Sequence, residues 1–388
     1  MFEFKYKKVP RLTEYNDPYR FDSDEYFKGM MHEARTYNAS DVFIQPNFPV
    51  LMMVSNRLVM LTHRELDETE AKNILRWACG RDNALTDIVS GIPVNARFEL
   101  FDKTLLDEKG GKIKYGYRVN SSPIMGWGST AAQTILRAIP STPPTYQSLG
   151  LSDVLVQAAT PRDGIVYVAG STGSGKTTTF SSIIRHILEG DTPIKGNIIT
   201  HEEPIEFTYN KIISEHSVIV QSQVPNHFKT FGDANREAMR RKPALIMIGE
   251  MRDEESIRAA VEASLTGHPV FGTVHATNVA SVIRRLISRF PRDERATAIF
   301  DIIETARLIM AQRLVRGLDD KLLAAREYLV FTDDIRDQLV NVDDMGRVTD
   351  AVKQLVVSKG HSFAKEGMRL YEQGLISDEV RLDLANTL

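Results

Sequence analysis

Cysteine is nearly absent from this 388-residue sequence, which contains one, Cys79. A single cysteine excludes an intramolecular disulfide and a zinc site built from cysteines, and both exclusions agree with a reducing compartment. Long apolar runs are also missing: no stretch approaches the ~18 apolar residues of a membrane span, so any membrane association would be peripheral. A basic excess is missing too, because the formal net charge is -3, which argues against a protein that mainly coats nucleic acid.

The sequence is long enough for two domains rather than one ordinary core. Residues 1–138 combine helix-like segments with alternating or extended runs, such as ASDVFIQ at 39–45 and KIKYGYRVN at 112–120. This mixture predicts a smaller α+β domain around an antiparallel sheet. Residues 139–150, IPSTPPTYQSLG, contain three prolines and little apolar content, and we interpret them as a semi-stiff linker.

Residues 151–388 have a different pattern, in which short apolar runs alternate with helix-like segments. The runs are GIVYVAG (164–170), NIIT (197–200), ALIMIG (244–249) and VFGTVHA (270–276). Strands of this kind are buried on both faces of a parallel sheet that helices cover. We therefore predict a doubly wound α/β domain with helices at 177–188, 232–241 and 254–265, the last capped by Asp253. After about residue 293 we predict mainly helix, with one strand at 323–331.

The strongest motif is GSTGSGKT at 170–177, which satisfies G-x-x-x-x-G-K-[ST] between an apolar strand and a helix. Its glycines let the backbone curl so that successive N–H groups point inward, and the helix adds the positive end of its dipole. The motif predicts binding of ATP with Mg²⁺, with Lys176 on the β- and γ-phosphates and the Thr177 hydroxyl on the metal. The predicted nucleotide-binding residues are Ser171, Thr172, Gly173, Ser174, Gly175, Lys176, Thr177 and Thr178.

An acidic residue and a histidine follow two further predicted strands. Gly249 stands where many strands of P-loop enzymes carry aspartate, so the next residue, Glu250, is the predicted metal ligand. His268 and His275 flank the run PVFGTV. A histidine at a strand end beside the nucleotide can hydrogen-bond the γ-phosphate, although either one could instead fill a core position. The stretch lacks the further ligands that a zinc site needs.

The octapeptide THEEPIEF at 200–207 concentrates Glu202, Glu203 and Glu206 without a lysine or arginine beside them. The strand before it would deliver Glu202 and Glu203 to the sheet edge where α/β folds bind ligands. Mg²⁺, Lys176 and arginines from elsewhere would supply the missing positive charge, and a carboxylate there can orient a water molecule toward the γ-phosphate. The alternative is a solvated acidic loop. A zinc-protease motif is excluded because Ile205 occupies the position of its second histidine.

Four of these segments, in this order and spacing, resemble the secretion-ATPase superfamily in its PilT-like branch. They are GSTGSGKTTT, THEEPIEF as the acidic box, MIGEMRD as the Walker B motif and TGHPVFGTVHATN as the histidine box. In the N-terminal half, ASDVFIQ, YRVN and ILRAIP resemble segments of the same family. Within this branch the sequence resembles the DotB/TraJ ATPases of type IVB secretion and conjugation systems, and the likeness runs from about residue 25 to 380.

The resemblance implies a RecA-like P-loop ATPase domain after a smaller PAS-like domain, assembled as a homohexamer with nucleotide between the domains. It implies a catalytic carboxylate at Glu202, a Walker B acid at Glu250 and a γ-phosphate sensor at His275. Arg118 and Arg137 would reach the phosphates from the N-terminal domain of the same chain or of a neighbour. The implied protein is cytoplasmic and bound peripherally to inner-membrane secretion proteins, and its hydrolysis of ATP moves the domains and energises secretion. No stable binding of nucleic acid is expected.

Two departures count against the first alternative, a type IV pilus retraction motor. SSPIMGWGSTAAQ lacks the further arginine of those motors, and AVKQLVVSKGH stands where they carry Ala-Ile-Arg-Asn-Leu-Ile-Arg-Glu. A second alternative is a nucleic-acid translocase of similar fold, which the net charge and the lack of an aromatic-basic stretch disfavour. A third is a scaffold that ATP gates with negligible turnover, against which the set of acids and arginines argues.

Overall fold

The structure, a computed structural model, describes residues 9–11, 15–55, 57–106, 112–126, 130–140, 142–340 and 342–386. The chain divides into two compact units, Met1–Ser141 and Thr142–Leu388. The division falls inside the predicted linker, 139–150. Much of this segment packs within the second unit, where Arg185 donates to the carbonyl oxygen of Pro143 (2.8 Å) and Tyr146 lies edge-on against the His186 ring. Within the described ranges, no helix is both long and apolar enough to cross a bilayer.

The first unit is an antiparallel sheet packed against helices. Its elements are α1 (Asp24–Thr36), β1 (Asp41–Ile44), β2 (Leu51–Val54), β3 (Arg57–Met60), α2 (Glu68–Cys79), α3 (Ala84–Val89), β4 (Val94–Leu106), β5 (Lys112–Met125) and β6 (Thr130–Ile139). The strand order in the described part is β3-β2-β1-β6-β5-β4, and every neighbouring pair is antiparallel, as predicted. Helix residues Phe27 and Ile74 share one core with Val42 and Phe98 of the sheet, and Cys79 is buried there.

Helix α2 begins at a buried carboxylate. Asp67 and Glu70 form a capping box, in which each side chain accepts a hydrogen bond from the other residue's backbone N–H. Glu70 is 2% exposed and also accepts hydrogen bonds from the two terminal guanidinium nitrogens of Arg64 (2.6 and 2.9 Å) and from the N–H of Phe21 (2.8 Å). Burial by itself raises the pKa of Glu70. These hydrogen bonds lower the pKa by a larger amount, so the net shift is downward.

The second unit is a mostly parallel sheet with helices on both faces. Its elements are α4 (Asp153–Ala158), β7 (Gly164–Ala169), α5 (Lys176–Glu189), β8 (Asn197–Glu202), β9 (Val218–Gln223), α6 (Phe231–Met239), β10 (Pro243–Ile248), α7 (Glu254–Leu265), β11 (Pro269–Val274), α8 (Val279–Ile287), α9 (Arg295–Thr305), β12 (Ala306–Arg316), β13 (Leu322–Val330), α10 (Asp333–Leu339), α11 (Met345–Ser358), α12 (Phe363–Glu372) and α13 (Asp378–Ala385), with short 3₁₀ helices at Gln147–Leu149 and Arg292–Glu294. The described strands follow the order β13-β12-β7-β11-β10-β8-β9.

The sheet separates two hydrophobic cores, and the central strand β7 contributes to both. Ile165 and Tyr167 belong to one core, while Val166 and Val168 belong to the other, and all six residues of β7 are buried. Only the edge pair β12–β13 is antiparallel among the described pairings of this sheet. The predicted doubly wound α/β architecture is therefore confirmed. The capping box of Asp253 at the start of α7 is also confirmed.

Two strands were not expected from the sequence. Ala306–Arg316 was predicted as part of a helical region, but it forms β12 beside β7. Its residues Leu308 to Ala311 are buried on both faces, so the run lacks the alternation that identifies a half-buried strand. Val218–Gln223 forms the edge strand β9, whose second half is polar. Edge strands carry fewer apolar residues, which weakens their signal in the sequence.

We expect Glu70→Gln to lower the free energy of unfolding of the first unit by about 2–3 kcal/mol, because Arg64 loses its charged partner. Both tryptophans of the sequence, Trp77 and Trp127, precede residue 142, so urea unfolding followed by tryptophan fluorescence reports on the first unit. Since the folded pKa of Glu70 lies below its unfolded value, its contribution should be present near pH 7 and lost as the pH falls below about 4.5.

The matched control is Glu68→Gln, on the same helix, because Glu68 forms a partly exposed pair with Lys72 (3.5 Å). Exposed pairs contribute about 0–1 kcal/mol, so this substitution should have little effect. Equal losses of stability from the two substitutions would contradict the role given to Glu70.

Candidate active site

The phosphate-binding loop, residues 170–177, joins the end of β7 to the start of α5, and glycines permit its shape. A Cβ atom at Gly170 would lie 2.5 Å from the carbonyl oxygen of Gln312. Gly173 and Gly175 have φ values of +78° and +84°, which residues with side chains rarely adopt. The structure thus confirms the strand, loop and helix order on which the motif depends.

The predicted nucleotide-binding residues, 171–178, form this loop and the first residues of α5. Ser171, Thr172 and Gly173 are exposed, Ser174 is buried, and Thr177 and Thr178 are half-buried at the start of α5. Their backbone amides lie at the positive end of a helix of 14 residues, where an anion is favoured.

Lys176 folds back into the loop. Its side chain is largely buried, and its Nζ donates hydrogen bonds to the carbonyl oxygens of Gly170 (2.9 Å) and Ser171 (3.1 Å). Burial lowers the pKa of Lys176, while the negative charges of Glu250 and Glu206 raise it. Two carboxylates therefore lie close enough to the loop to act on its lysine.

A cleft of about 490 Å³ adjoins the loop on the side of α5. Gly175, Thr178 and Thr179 form part of its wall, and Leu149 and Arg326 contribute from other elements. This volume is in the range of small-molecule sites. The cleft begins at the loop, so a ligand bound by the loop has room to extend into it.

Glu250 and His275 meet at the same sheet edge as the loop. Glu250 follows β10 and His275 follows β11, which are neighbouring parallel strands. The Nε2 atom of His275 lies 3.5 Å from Oε1 of Glu250. Burial and the charge of Lys176 lower the pKa of His275, although Glu250 opposes this shift, so the imidazole is neutral at pH 7. His268 precedes β11 and therefore lies at the opposite end of that strand.

Gly249 explains why this Walker B strand lacks the common aspartate. Its N–H donates to the carbonyl oxygen of His201 (2.7 Å), and an added Cβ would lie 2.8 Å from that oxygen and 3.0 Å from the Cα of Glu202. The backbones of β8 and β10 approach too closely at this point for a side chain. The acidic residue is therefore displaced to the next position, Glu250.

Glu202 is enclosed at the end of β8. Its side chain is buried, and Oε1 accepts hydrogen bonds from the Thr200 hydroxyl (2.6 Å) and from Nε2 of Gln221 (3.0 Å). Burial raises the pKa of Glu202, and the hydrogen bonds only partly oppose this shift. Strands β11 and β10 lie between β8 and the loop strand β7. Glu202 is thus brought to the predicted edge, but within a hydrogen-bonded, buried environment.

The other two glutamates of the acidic segment have cationic neighbours. Glu203 forms an ion pair with Arg252 (3.0 Å), and the charge of Glu206 acts on both Lys176 and Glu202. Arg252 and Lys176 therefore supply the positive charge that offsets the repulsion among the glutamates of this octapeptide. No role was predicted for Glu206 from the sequence. Its position four residues after Glu202 was the available sign that its side chain could turn back toward the loop.

Arg118 and Arg137 lie side by side in the first unit, on neighbouring strands. They are directly paired across β5 and β6, and Arg97 of β4 pairs with Arg118, so three arginines form a row on one face of the sheet. Arg137 donates to Oδ1 of Asp41 (2.7 Å), which extends the row. Arg97 was not identified from the sequence. Contact of these arginines with a nucleotide stays a prediction.

The residues around the loop suit a Mg²⁺ ion that also binds phosphate. Such an ion takes few protein ligands, typically one hydroxyl and carboxylates, and keeps several waters or phosphate oxygens. Thr177 and Glu250 provide one of each beside the loop. Clusters of three or more histidine, cysteine, aspartate or glutamate side chains suitable for a metal are absent from the described residues.

Comparison with known proteins identifies the family. Residues 24–381 match the family model described as "Type II/IV secretion system protein". The chain belongs to the type II/IV secretion system protein family. Among solved structures of related proteins, it is similar to the ATPase DotB of Yersinia pseudotuberculosis, with 48% identity, a TM-score of 0.81 and coverage of 98% of this chain and 99% of that one.

The chain is also similar to two further members of this family. The ATPase DotB of Legionella pneumophila has 38% identity, a TM-score of 0.87 and coverage of 98% of this chain and 100% of that one. The type IV pilus retraction ATPase PilT of Pseudomonas aeruginosa is 32% identical over 246 residues, which are 63% of this chain and 68% of that protein. Relatives of this chain therefore include both kinds of protein that the sequence suggested, the DotB ATPases and a pilus retraction ATPase.

We expect Gly249→Ala to destabilise the second unit by about 1–3 kcal/mol, because the added methyl group meets backbone atoms of β8 that cannot move aside freely. Calorimetric unfolding of the full chain measures the loss. Gly29→Ala is the control, since an added Cβ in α1 has no neighbour within 4 Å. A Gly249→Ala protein as stable as the wild type would show that this close approach imposes no constraint.

Proposed function

We propose that this chain is a Mg²⁺-dependent ATPase that works as a homohexamer and couples hydrolysis to movement of its two units. The gathering of Lys176, Glu250, His275 and Glu206 beside the phosphate-binding loop carries the proposal. A site that only held a nucleotide would need the loop and its lysine. Carboxylates beside the terminal phosphate are needed when a metal and an attacking water must be positioned.

ATP would bind with its phosphates on the amides of residues 171–178. The amino group of Lys176 would exchange the carbonyl oxygens of Gly170 and Ser171 for phosphate oxygens, and the nucleoside would occupy the cleft beside Thr178. Thr177 and Glu250 would hold Mg²⁺, which supplies charge stabilisation for the transferred phosphoryl group when it is bound.

We assign the orientation of the attacking water to Glu206 rather than to Glu202. The resemblance of the sequence to its family gives this role to Glu202, whose Oε1 is occupied by Thr200 and Gln221. The negative charge of Glu206 is one of the two that raise the pKa of Lys176, which supports a place for its carboxylate on the side of the loop where the terminal phosphate would bind. Glu202 would then hold the acidic segment in place.

Release of the γ-phosphate would drive the movement. Neutral His275 can donate one hydrogen bond to that phosphate, and Arg118 and Arg137 would add cations from the first unit of the same chain or of a neighbour. These contacts exist only while the phosphate is present, so ATP and ADP would favour different arrangements of the units. Such differential affinity is what converts hydrolysis into motion.

We further propose that the motion energises a type IVB secretion or conjugation system. The chain would act in the cytoplasm, bound peripherally to inner-membrane proteins of that system. Near-complete coverage of both DotB chains at 48% and 38% identity supports this assignment.

Glu206→Gln should lower kcat for ATP hydrolysis by at least about 100-fold while ATP affinity changes little, because the amide cannot polarise the water. Glu202→Gln should have a smaller effect on kcat. Steady-state phosphate release and equilibrium binding of a fluorescent ATP analogue measure the two quantities. Lys176→Ala, the control, should lose binding itself. A large loss of kcat in Glu202→Gln, with near-normal turnover in Glu206→Gln, would return the role to Glu202.

The second candidate function is pilus retraction, which the 32% identity to PilT favours. In the source organism, the Glu206→Gln variant should stop transfer of protein or DNA out of the cell and leave pilus retraction unchanged. Loss of retraction with normal transfer would support the second candidate. Strong stimulation of phosphate release by added DNA would instead support the nucleic-acid translocase.

A further inference from the structure

Two buried polar side chains lie beside the phosphate-binding loop, where they also line the cleft next to Thr178, and no role in the reaction has been given to them. They are Gln312 on β12 and Arg326 on β13, which are 2% and 4% exposed and lie directly opposite each other across the two strands. Buried polar groups of this size are retained only where their hydrogen bonds are satisfied. Their partners therefore show what the pair does.

Gln312 is bonded to the loop and to the helix that follows it. Its Nε2 donates to the carbonyl oxygen of Ser174 (2.5 Å), and its Oε1 accepts from the Thr179 hydroxyl (2.9 Å). A Cβ atom at Gly175 would lie 2.9 Å from the same Nε2. The amide thus contacts the loop at its turn into α5, and the loop cannot shift there without moving Gln312.

Arg326 connects Gln312 to a segment far away in the sequence that lines the same cleft. Its Nε donates to Oε1 of Gln312 (2.9 Å), and another guanidinium nitrogen donates to the carbonyl oxygen of Leu149 (2.9 Å). Leu149 ends the 3₁₀ helix Gln147–Leu149, in the segment with which the second unit begins. One arginine therefore bonds both the support of the loop and the segment that leads to the first unit.

We propose that Gln312 and Arg326 are positioning residues that transmit the state of the phosphate-binding loop to the segment Gln147–Leu149. The inference rests on the proposed function, because the signal it carries is the binding of nucleotide phosphate. When phosphate draws the amino group of Lys176 away from Gly170 and Ser171, the loop must readjust. The hydrogen bonds from Ser174 through Gln312 and Arg326 to Leu149 form a continuous series, in which the first three residues are buried and Leu149 is half-buried.

Hydrogen–deuterium exchange of the full-length protein tests the proposal. In the wild type, Mg²⁺ with a non-hydrolysable ATP analogue should change exchange of the amides of residues 149–151 severalfold. Two of these, Leu149 and Leu151, donate to the carbonyl oxygen of Tyr146. Because Arg326 also lines the cleft, Arg326→Met is measured at saturating analogue, where protection of the loop amides shows that the site is occupied; the response at residues 149–151 should then be lost. Gln312→Glu replaces the donor to Ser174 by a second acceptor, so it should also abolish the response and weaken analogue binding about tenfold.

Arg313→Met is the matched control, because Arg313 is the neighbour of Gln312 on β12 but pairs with Asp383 near the surface (2.7 Å). It should keep the wild-type response and affinity. Should Arg326→Met not fold, Arg326→Lys replaces it, since a lysine cannot hold both acceptors in the geometry of a guanidinium.

Three results would overturn the inference: a wild-type response in both substituted proteins, its loss in Arg313→Met as well, or no response at residues 149–151 in a wild type that binds the analogue. Failure of the wild type to bind the analogue would instead contradict the proposed function, so the two failures are distinguishable.

Discussion

A buried ammonium group surrounded by its own loop is the interaction on which the site depends. Lys176 has little contact with solvent, and the carbonyl oxygens of Gly170 and Ser171 satisfy its donors. Burial lowers the pKa of the Lys176 amino group, and the negative charges of Glu250 and Glu206 partly oppose that shift. The loop carbonyls, the lysine and the two acids therefore stabilise one another. The oxygens and the carboxylates offset the cost of burying the ammonium group, and its charge in turn attracts them.

Strand order determines which groups can join this unit. Strand β11 lies directly beside β7 and β10 lies directly beside β11, so Glu250 and His275, which follow β10 and β11, meet near the loop. Strand β8 lies one place further out, so a residue at its very end is held by its own neighbours. A residue a few positions later can turn back toward the loop. This difference distinguishes Glu202 from Glu206, and it follows from topology rather than from residue type.

Much of this architecture could be predicted from the sequence, because apolar runs and a glycine-rich turn report local structure directly. The helix at 254–265 and its cap Asp253 are confirmed, as are the parallel sheet and the loop. The prediction of helix after residue 293 was wrong for β12, since a run buried on both faces carries no alternation. That error hid Gln312, whose role depends on a strand pairing that no local pattern indicates. Arg97 was missed for a similar reason, because its place beside Arg118 depends on the register between β4 and β5.

The complete burial of β7 has a consequence for how the second unit resists degradation. All six of its residues are held by a core on one side of the sheet or the other, so the strand cannot detach without the collapse of both. Segments that open easily are where proteases cut, and this strand is not among them. Residues 171–173 of the loop are exposed, but the strand that leads to them is fully buried. At this point of the chain a protease would therefore reach only these few residues and not the strand that carries them.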